Sequence, residues 1–240
     1  MIKDTKTFYN KTKLKEIVDV GKFPPIAYSH AFYKTYPRLP SISLPQTSGN
    51  DRKTFKGLNE LWSKRKSTRI FSKKGISLQE LAVVLRSNGI VDSERSPEKR
   101  TYPSGGARFP VETYIISFSV IGLNPGVYHY NIKDDNLELL LEKDFRKKEE
   151  KIISSHLKNT AVAFVLTSVI SRLEIKYGYK AYPYSFIEAG HMAQNIQLIC
   201  AQEELGSCCV GGFLDDVVIK ALDLIDDEIP LYVIGVGKLK

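Results

Sequence analysis

The spacing of apolar residues predicts two short helices in the first half of the chain. Apolar side chains within 58–65 recur every three to four residues, which is typical of a helix. The sequence Ser-Leu-Gln-Glu at 77–80 is a capping box, and it predicts a second helix that ends before Gly89. The polar, proline-containing residues 90–102 are expected to form a loop.

The middle of the chain has the two-residue period of β-strands. We expect strands at 111–120, 127–132 and 137–141, which short turns rich in Gly, Asn and Asp join into an antiparallel meander. A charged helix is predicted near 145–157. The continuous apolar run at 161–170 is typical of a strand that is buried on both faces.

The last third of the chain predicts the longest helix, at 185–205, where apolar residues lie on more than one side. A helix of this kind is buried in a core or in a subunit interface. A short segment at 208–213, a helix at 215–225 and a closing strand at 231–236 follow. The predicted fold is therefore α+β, with one mixed sheet flanked by helices.

Residues 1–56 contain several prolines and tyrosines and no sustained period, so we interpret them as an N-terminal arm. Residues 57–240 then form one domain. The 42% hydrophobic content is ordinary for a globular protein, and no apolar run approaches the ~20 residues of a membrane span. The charged N-terminus does not have the pattern of a signal peptide, so a cytoplasmic location is expected.

The net charge of +8 is interpreted as a solvated, lysine-rich surface rather than as a nucleic-acid-binding surface. A few fixed cations in a pocket would also suit a phosphate-bearing cofactor. The three cysteines, Cys200, Cys208 and Cys209, form neither a disulfide framework nor a zinc pattern. No metal site is expected.

A basic segment after the first predicted domain helix is the first candidate site. Alternate residues of an extended chain point the same way, so Arg65, Ser67 and Arg69 can converge on one ligand. Two guanidinium groups and a hydroxyl suit a phosphate with a polyol chain. The alternative is an ordinary solvated basic segment.

Two glycine pairs are the next candidates. Ser104, Gly105 and Gly106 precede a predicted strand, and paired glycines let a flat ligand approach the backbone closely. At Gly211 and Gly212, exposed backbone N–H groups can stabilise charge that develops on a reduced ring. The alternative for both pairs is an ordinary turn.

Lys176 and Tyr177 are the candidate catalytic residues. A lysine and a tyrosine side by side can supply a general base if the pKa of one of them is lowered. The alternative is that this tyrosine, like others nearby, only packs against the domain.

Taken together, the motifs resemble the SagB-type dehydrogenase branch of the nitroreductase family, over roughly residues 58–240. The similarity is carried by five motifs in the family's order: RKSTR (65–69), PSGGARFP (103–110), KYG (176–178), SFIEAGHMAQN (185–195) and CCVGGF (208–213).

The resemblance implies a homodimer with the long helix at its interface, and an FMN site built from both chains. It also implies which residues bind each part of FMN. The phosphate and ribityl chain would be bound by Arg65, Ser67 and Arg69, with Lys238 as a further phosphate contact. Ser104, Gly105 and Gly106 would lie along the isoalloxazine ring, and the backbone of Gly211 and Gly212 would face the reactive N5.

The resemblance further implies oxidation of thiazoline or oxazoline rings of a ribosomal peptide, which a cyclodehydratase complex would supply. Lys176 and Tyr177 match the family's Lys-Tyr pair, which we expect to take the ring α-proton while a hydride passes to the flavin. Cys209 stands where the branch often has proline, and the residues at 179–183 also differ. The second departure leaves the substrate open.

Two other functions remain open on the sequence. One is an NAD(P)H-dependent flavin reductase of nitro, quinone or dehydroamino-acid substrates. The other is a non-catalytic flavin-binding or scaffold subunit of a larger assembly.

Overall fold

A computed structural model describes residues 3–16, 38, 40, 42–43, 52–154 and 156–240. The α-helices of these residues are α1 (Lys3–Thr12), α2 (Arg52–Lys64), α3 (Leu78–Arg86), α4 (Glu149–Ile152), α5 (Ser171–Tyr177), α6 (Ala181–Gln202) and α7 (Asp215–Leu222). The strands are β1 (Ile76–Ser77), β2 (Ile90–Asp92), β3 (Lys99–Arg100), β4 (Val111–Ser117), β5 (Val120–Ile121), β6 (Gly126–Asn131), β7 (Asn136–Glu142), β8 (Val162–Val169), β9 (Leu205–Val210) and β10 (Glu228–Lys238).

A six-stranded sheet in the order β7-β6-β4-β8-β10-β9 forms the centre of the domain. The predicted meander is confirmed, since β4 pairs with β6 and β6 pairs with β7, both antiparallel. The continuous apolar run becomes β8, a central strand that is buried along nearly its whole length. Parallel pairing occurs where β1 meets β5 and where Ser67 bridges Ser207 on the edge strand β9.

The two faces of the sheet carry separate cores because neighbouring residues of a strand point to opposite faces. Ile115 and Phe164 belong to the core on the α6 face, while Ile116 and Val165 belong to the core on the α7 face. All four of these side chains are fully buried. The predicted α+β fold, with helices flanking one sheet, is confirmed. The sheet was predicted to be mixed, but the pairings between its six strands are all antiparallel.

The long helix α6 has 22 residues and begins four residues earlier than the sequence predicted. Pro183 lies in its first turn, where proline is tolerated because the first N–H groups have no partner within the helix. Ser185 does not cap the helix: it is buried, and its hydroxyl lies 2.9 Å from that of Ser168 on β8. This contact joins the start of α6 to the central strand β8.

Other boundaries also differ from the prediction. The expected loop at 90–102 contains the short paired strands β2 and β3, with Ile90 opposite Arg100. The helix expected near 145–157 is shorter, a turn of 3-10 helix at Arg146–Lys148 followed by the single turn α4. The closing strand β10 is longer than predicted, because it pairs with β8 on one side and with β9 on the other.

The capping box of α3 is confirmed, with Ser77 and Glu80 each bonded to the other's backbone N–H. Among the described residues of the predicted arm, α1 lies entirely within it and α2 begins within it. In the part of the chain that the structure describes, no helix is long and apolar enough to cross a membrane. Over the same residues, no cluster of three or more His, Cys, Asp or Glu side chains could hold a metal ion.

Candidate functional site

The first glycine motif forms a tight loop ahead of β4. Gly105–Ala107 make one turn of 3-10 helix, and Gly106 has a φ of 61°, in the left-handed region that favours glycine. The Ser104 hydroxyl oxygen accepts a hydrogen bond of 2.9 Å from the backbone N–H of Phe109. Ser104 therefore helps to close this loop.

Helix α5 brings Lys176 and Tyr177 to the same loop. A Cβ atom placed on Gly106 would lie 2.6 Å from the Tyr177 Oη and 2.9 Å from the Lys176 Nζ. The Lys176 Nζ also lies 5.3 Å from the centroid of the Tyr177 ring, within the range of a cation–π contact. The fold thus brings together two motifs that are some seventy residues apart in the sequence.

Tyr184, on the first turns of α6, completes this side of the site. Its ring packs edge-on against that of Tyr177, with 5.1 Å between centroids. Atoms of both rings come within 3.8 Å of the position that a Cβ on Gly105 would take. Lys176 is exposed and Tyr177 is half-buried, so an amine and a phenol are available to exchange a proton with a ligand here.

Sequence reasoning missed Glu188, the one acidic residue of α6, which is only 2% exposed. Burial raises the pKa of Glu188 to about 7, while the nearby Ser104 hydroxyl, the Arg100 guanidinium and the backbone N–H groups of Val111 and Gly105 act to lower it. None of these donors is aligned well enough for a full hydrogen bond to the carboxylate. An acidic residue among apolar neighbours in the longest helix was the signal that could have revealed it.

The predicted basic segment lies along the edge strand β9. The Arg65 guanidinium donates a hydrogen bond of 3.2 Å to the Gln197 side chain, whose amide nitrogen lies 2.6 Å from the Cys209 Sγ. The backbone N–H of Thr68 donates to the Ser207 carbonyl at 2.9 Å. The basic segment therefore contacts the C-terminal half of α6 through Gln197.

A cleft of about 360 Å³ opens beside this segment. It is lined by the alternate residues Lys64, Lys66 and Thr68 rather than by Arg65, Ser67 and Arg69. Arg69 is exposed, and its charge opposes the rise that burial causes in the pKa of the Cys208 thiol. One face of the basic segment thus carries Lys64 and Lys66 towards the cleft, and the other carries Arg65 and Arg69.

Lys238, the last residue of β10, forms an ion pair with Glu80. Glu80 is the capping-box residue of α3. Burial raises the pKa of Glu80, but hydrogen bonds from Lys238 and Ser77 outweigh this and lower it. The expected contact of Lys238 with the FMN phosphate stays a prediction. In it, the ammonium group of Lys238 would interact with both the phosphate and the Glu80 carboxylate.

The second glycine pair lies between β9 and α7. A Cβ on Gly211 would meet open space, and one on Gly212 would lie 3.8 Å from the side chain of Leu14, which follows α1. The N-terminal segment is anchored here, because the Leu14 N–H and the Tyr9 hydroxyl donate to the Asp215 carboxylate at 3.1 and 3.2 Å. The sequence had left the role of this arm open.

Most of the predicted site residues therefore form two clusters beside different parts of α6, whereas Lys238 pairs with Glu80 and Gly212 lies beside Leu14. The glycine loop and the Lys176–Tyr177 pair lie beside Tyr184 and Glu188, whereas the basic segment lies beside Gln197. Nine residues separate Glu188 from Gln197, which is about 14 Å along a helix. Among the described residues, no hydrogen bond or ring contact joins the two clusters.

The fold and the order of these motifs define a known class of protein. Residues 63–238 match the model of the nitroreductase family. The chain belongs to this family, so the resemblance inferred from its motifs is confirmed.

Several known proteins are similar to the chain. Protein MJ1384 of Methanocaldococcus jannaschii, which is named for the same family, is 28% identical over 186 residues, covering 75% of this chain and 90% of MJ1384. The microcin B17-processing protein McbC of Escherichia coli is 28% identical over 146 residues, covering 56% of this chain and 54% of McbC. In sequence, the match thus spans about half of McbC.

The fold is also found in a solved structure, the E. coli microcin synthetase McbBCD complex with truncated pro-MccB17 bound. The match has a TM-score of 0.82 at 21% identity, and it covers 99% of this chain and 92% of the matched chain. At this identity the match shows a shared fold.

Proposed function

We propose that the protein is an FMN-dependent dehydrogenase that oxidises thiazoline or oxazoline rings of a ribosomal peptide to thiazole or oxazole. The observation that carries this proposal is the packing of Lys176 and Tyr177 against Gly106. A proton-transfer pair directly beside a glycine loop suits a reaction on a flat redox ring. The similarity to McbC, a microcin B17-processing protein, supports the peptide substrate.

The residues fit a flavin. Gly106 is a place where a Cβ would crowd the functional groups of the catalytic pair, and the space beside Gly211 is open. Ser104, Gly105 and Gly106 would lie along the isoalloxazine ring, and the backbone of Gly211 and Gly212 would face N5. The phosphate and ribityl chain would be held by the cations and hydroxyl of Arg65, Ser67, Arg69 and Lys238.

When bound, FMN supplies a two-electron acceptor that takes up a hydride from the azoline ring. The second hydrogen leaves the ring as a proton, and in this proposal it passes to the Lys176 side chain as a neutral amine, which becomes an ammonium, or to the Tyr177 side chain as a phenolate, which becomes a phenol. Since the Lys176 ammonium and the Tyr177 ring are in cation–π range, each group can stabilise the charge that develops on the other. The substrate therefore loses two hydrogens, and the protein holds one of them as a proton.

We also propose a homodimer in which each flavin site takes one of the two clusters from each chain. The separation of these clusters along α6 supports this arrangement. Phe186 and Ile187 on α6 are 42% and 56% exposed, so this helix presents apolar area that a second chain could cover. As part of this proposal we place the protein in the cytoplasm, since all three cysteines are free thiols.

The peptide substrate would be presented by a cyclodehydratase complex. The solved structure with the matching fold is a complex that holds a truncated precursor peptide, which supports a partner of this kind. Recognition of the peptide would then be shared between this chain and its partners.

A second candidate is an NAD(P)H-dependent flavin reductase of nitro, quinone or dehydroamino-acid substrates. The observation that favours it is the match to MJ1384, which covers 90% of that protein. A non-catalytic flavin-binding or scaffold subunit is the third.

The reductive half-reaction separates these functions. We expect the purified protein to show a flavin spectrum that bleaches under nitrogen when an azoline peptide is added, and the peptide to lose two mass units. Rapid bleaching by NAD(P)H with no reaction of the azoline peptide would establish the reductase instead. A flavin that neither compound reduces would favour the non-catalytic subunit, and a protein that does not bind FMN would overturn the proposal.

A further inference from the structure

Glu188 is a buried carboxylate in the middle of α6 for which the proposed reaction has no use. It is 2% exposed, and neither carboxylate oxygen makes a full hydrogen bond to any of the described residues. Burying an ionisable group without hydrogen-bond partners costs free energy of folding, so a functional role for Glu188 is worth considering.

The surroundings of Glu188 indicate such a role. Glu188 lies one helical turn beyond Tyr184, whose ring is 3.7 Å from the position of a Cβ on Gly105, so the buried carboxylate lies on the side of α6 that faces the glycine loop. There the Ser104 hydroxyl and the N–H groups of Gly105 and Val111 act on it from the two ends of the loop. Because the Ser104 oxygen already accepts from the Phe109 N–H, its own hydrogen is free to be donated. Three donors from both ends of one loop thus surround an acceptor-only group.

We propose that Glu188 is a positioning residue whose carboxylate draws together the two ends of the Ser104–Val111 loop and so sets Gly105 and Gly106 against the catalytic pair. The loop geometry stands on its own, whereas the consequence for FMN rests on the proposed function. The ionised carboxylate attracts all three donors, although none of them is in full hydrogen-bond geometry, and a protonated carboxyl has to give up one of these interactions.

Charged and titratable groups on the neighbouring elements act on the same carboxylate. Arg100 on β3 favours the ionised form of Glu188 and is held in place by Glu98, 2.5 Å away, and by the Tyr102 hydroxyl at 3.0 Å. Burial opposes ionisation and raises the pKa of Glu188 to about 7. The loop is therefore expected to tighten as the pH rises through neutrality and to loosen below it.

Hydrogen exchange of the loop in the full-length protein without FMN tests the geometry directly. In Glu188→Gln at about pH 8, exchange over residues 103–111 is expected to be about tenfold faster, since the attraction of a charged carboxylate for the three donors is lost. Wild-type protection should fall between about pH 8 and pH 6 after correction for intrinsic rates, while that of the variant should not. Glu228→Gln is the control: Glu228 is also a buried carboxylate, bonded to Thr167 and Tyr114 away from the loop.

FMN affinity is the second readout, measured by flavin fluorescence over the same pH range. Glu188→Gln is expected to bind about tenfold more weakly at high pH, with a flatter pH profile than the wild type and Glu228→Gln. The FMN phosphate titrates in this range too, but it does so equally in all three proteins.

Unchanged loop exchange and an unchanged FMN profile in a folded Glu188→Gln would overturn the inference. Failure of every form to bind FMN would overturn the proposed function, and the exchange result would still decide the role of Glu188. If Glu188→Gln does not fold, Ser104→Ala replaces it. That variant removes one donor to Glu188 but also the acceptor of the Phe109 N–H, so the readout is the pH dependence of its loop protection. This dependence is expected to be weaker than in the wild type, and an unaltered pH dependence would also overturn the inference.

Discussion

The Tyr177 hydroxyl oxygen lies 2.6 Å from where a Cβ atom would stand on Gly106. The ammonium group of Lys176 is almost as close, at 2.9 Å. A glycine in the left-handed region and a proton-transfer pair on another helix thus share one small space. This relationship makes the loop and the pair a single unit, so a change in one is expected to disturb the other.

The first prediction concerns Gly106→Ala. Alanine at this φ costs about 1–2 kcal/mol, and its methyl group must displace the ends of Lys176 and Tyr177. We expect a lower free energy of unfolding in urea and a loss of dehydrogenation of at least about tenfold. Gly57→Ala in α2 is the control, because a Cβ there meets nothing within 4 Å. Equal stability and activity in the two variants would show that the close approach at Gly106 has no importance.

The second prediction separates chemistry from cofactor binding. Lys176→Ala and Tyr177→Phe are each expected to keep the yellow flavin colour while azole formation falls about 100-fold or more, because the proton acceptor is lost. The measurement is the loss of two mass units from an azoline peptide. Lys180→Ala, which removes an exposed lysine a short distance along the chain, serves as the control. Full dehydrogenation in both pair variants would exclude the pair from the mechanism.

The third prediction asks which face of the basic segment holds the phosphate. Arg69→Ala is expected to weaken FMN binding by about 2 kcal/mol, the value of a hydrogen bond to a charged group. Lys66→Ala is the matched comparison, since Lys66 lines the neighbouring cleft. Titration of FMN into the apoprotein measures both. A larger loss in Lys66→Ala would move the phosphate site to the cleft and contradict the assignment of Arg69.

The fourth prediction is a pH dependence of stability at His129, which lies between two carboxylates. Its ring nitrogens are 3.1 Å from Glu112 and 2.8 Å from Glu138. The hydrogen bond to Glu112 raises the pKa of His129, with a smaller contribution from Glu138, although burial opposes this. Stabilisation by the imidazolium is therefore complete below the ordinary histidine pKa of about 6.5, and it is lost as the pH rises through the raised value.

We expect His129→Gln to melt below the wild type at about pH 6, with the difference shrinking towards about pH 9. Thermal unfolding followed by circular dichroism measures this difference. His156→Asn, at an exposed histidine, should show no such trend. A gap in melting temperature that widens with pH would contradict the role given to the imidazolium.

Much of the fold could be predicted because the governing interactions are local. The capping box at Ser77 and Glu80 satisfies backbone groups within one turn of helix, and the structure forms it as expected. The apolar run that becomes β8 and the turns of the meander likewise need only their own residues to be recognised. Five motifs in the right order were enough to identify the nitroreductase family.

The sequence by itself determined the types of most elements and the family, and it predicted candidate site residues such as Gly106 and Tyr177. Only the tertiary structure decided that Gly106 meets Tyr177, that Leu14 covers Gly212 and that Glu188 lies buried under the glycine loop. The physical reason is range. Caps, turns and periodicity depend on neighbours within a few residues, whereas these contacts depend on how helices and loops far apart in the chain pack on one sheet.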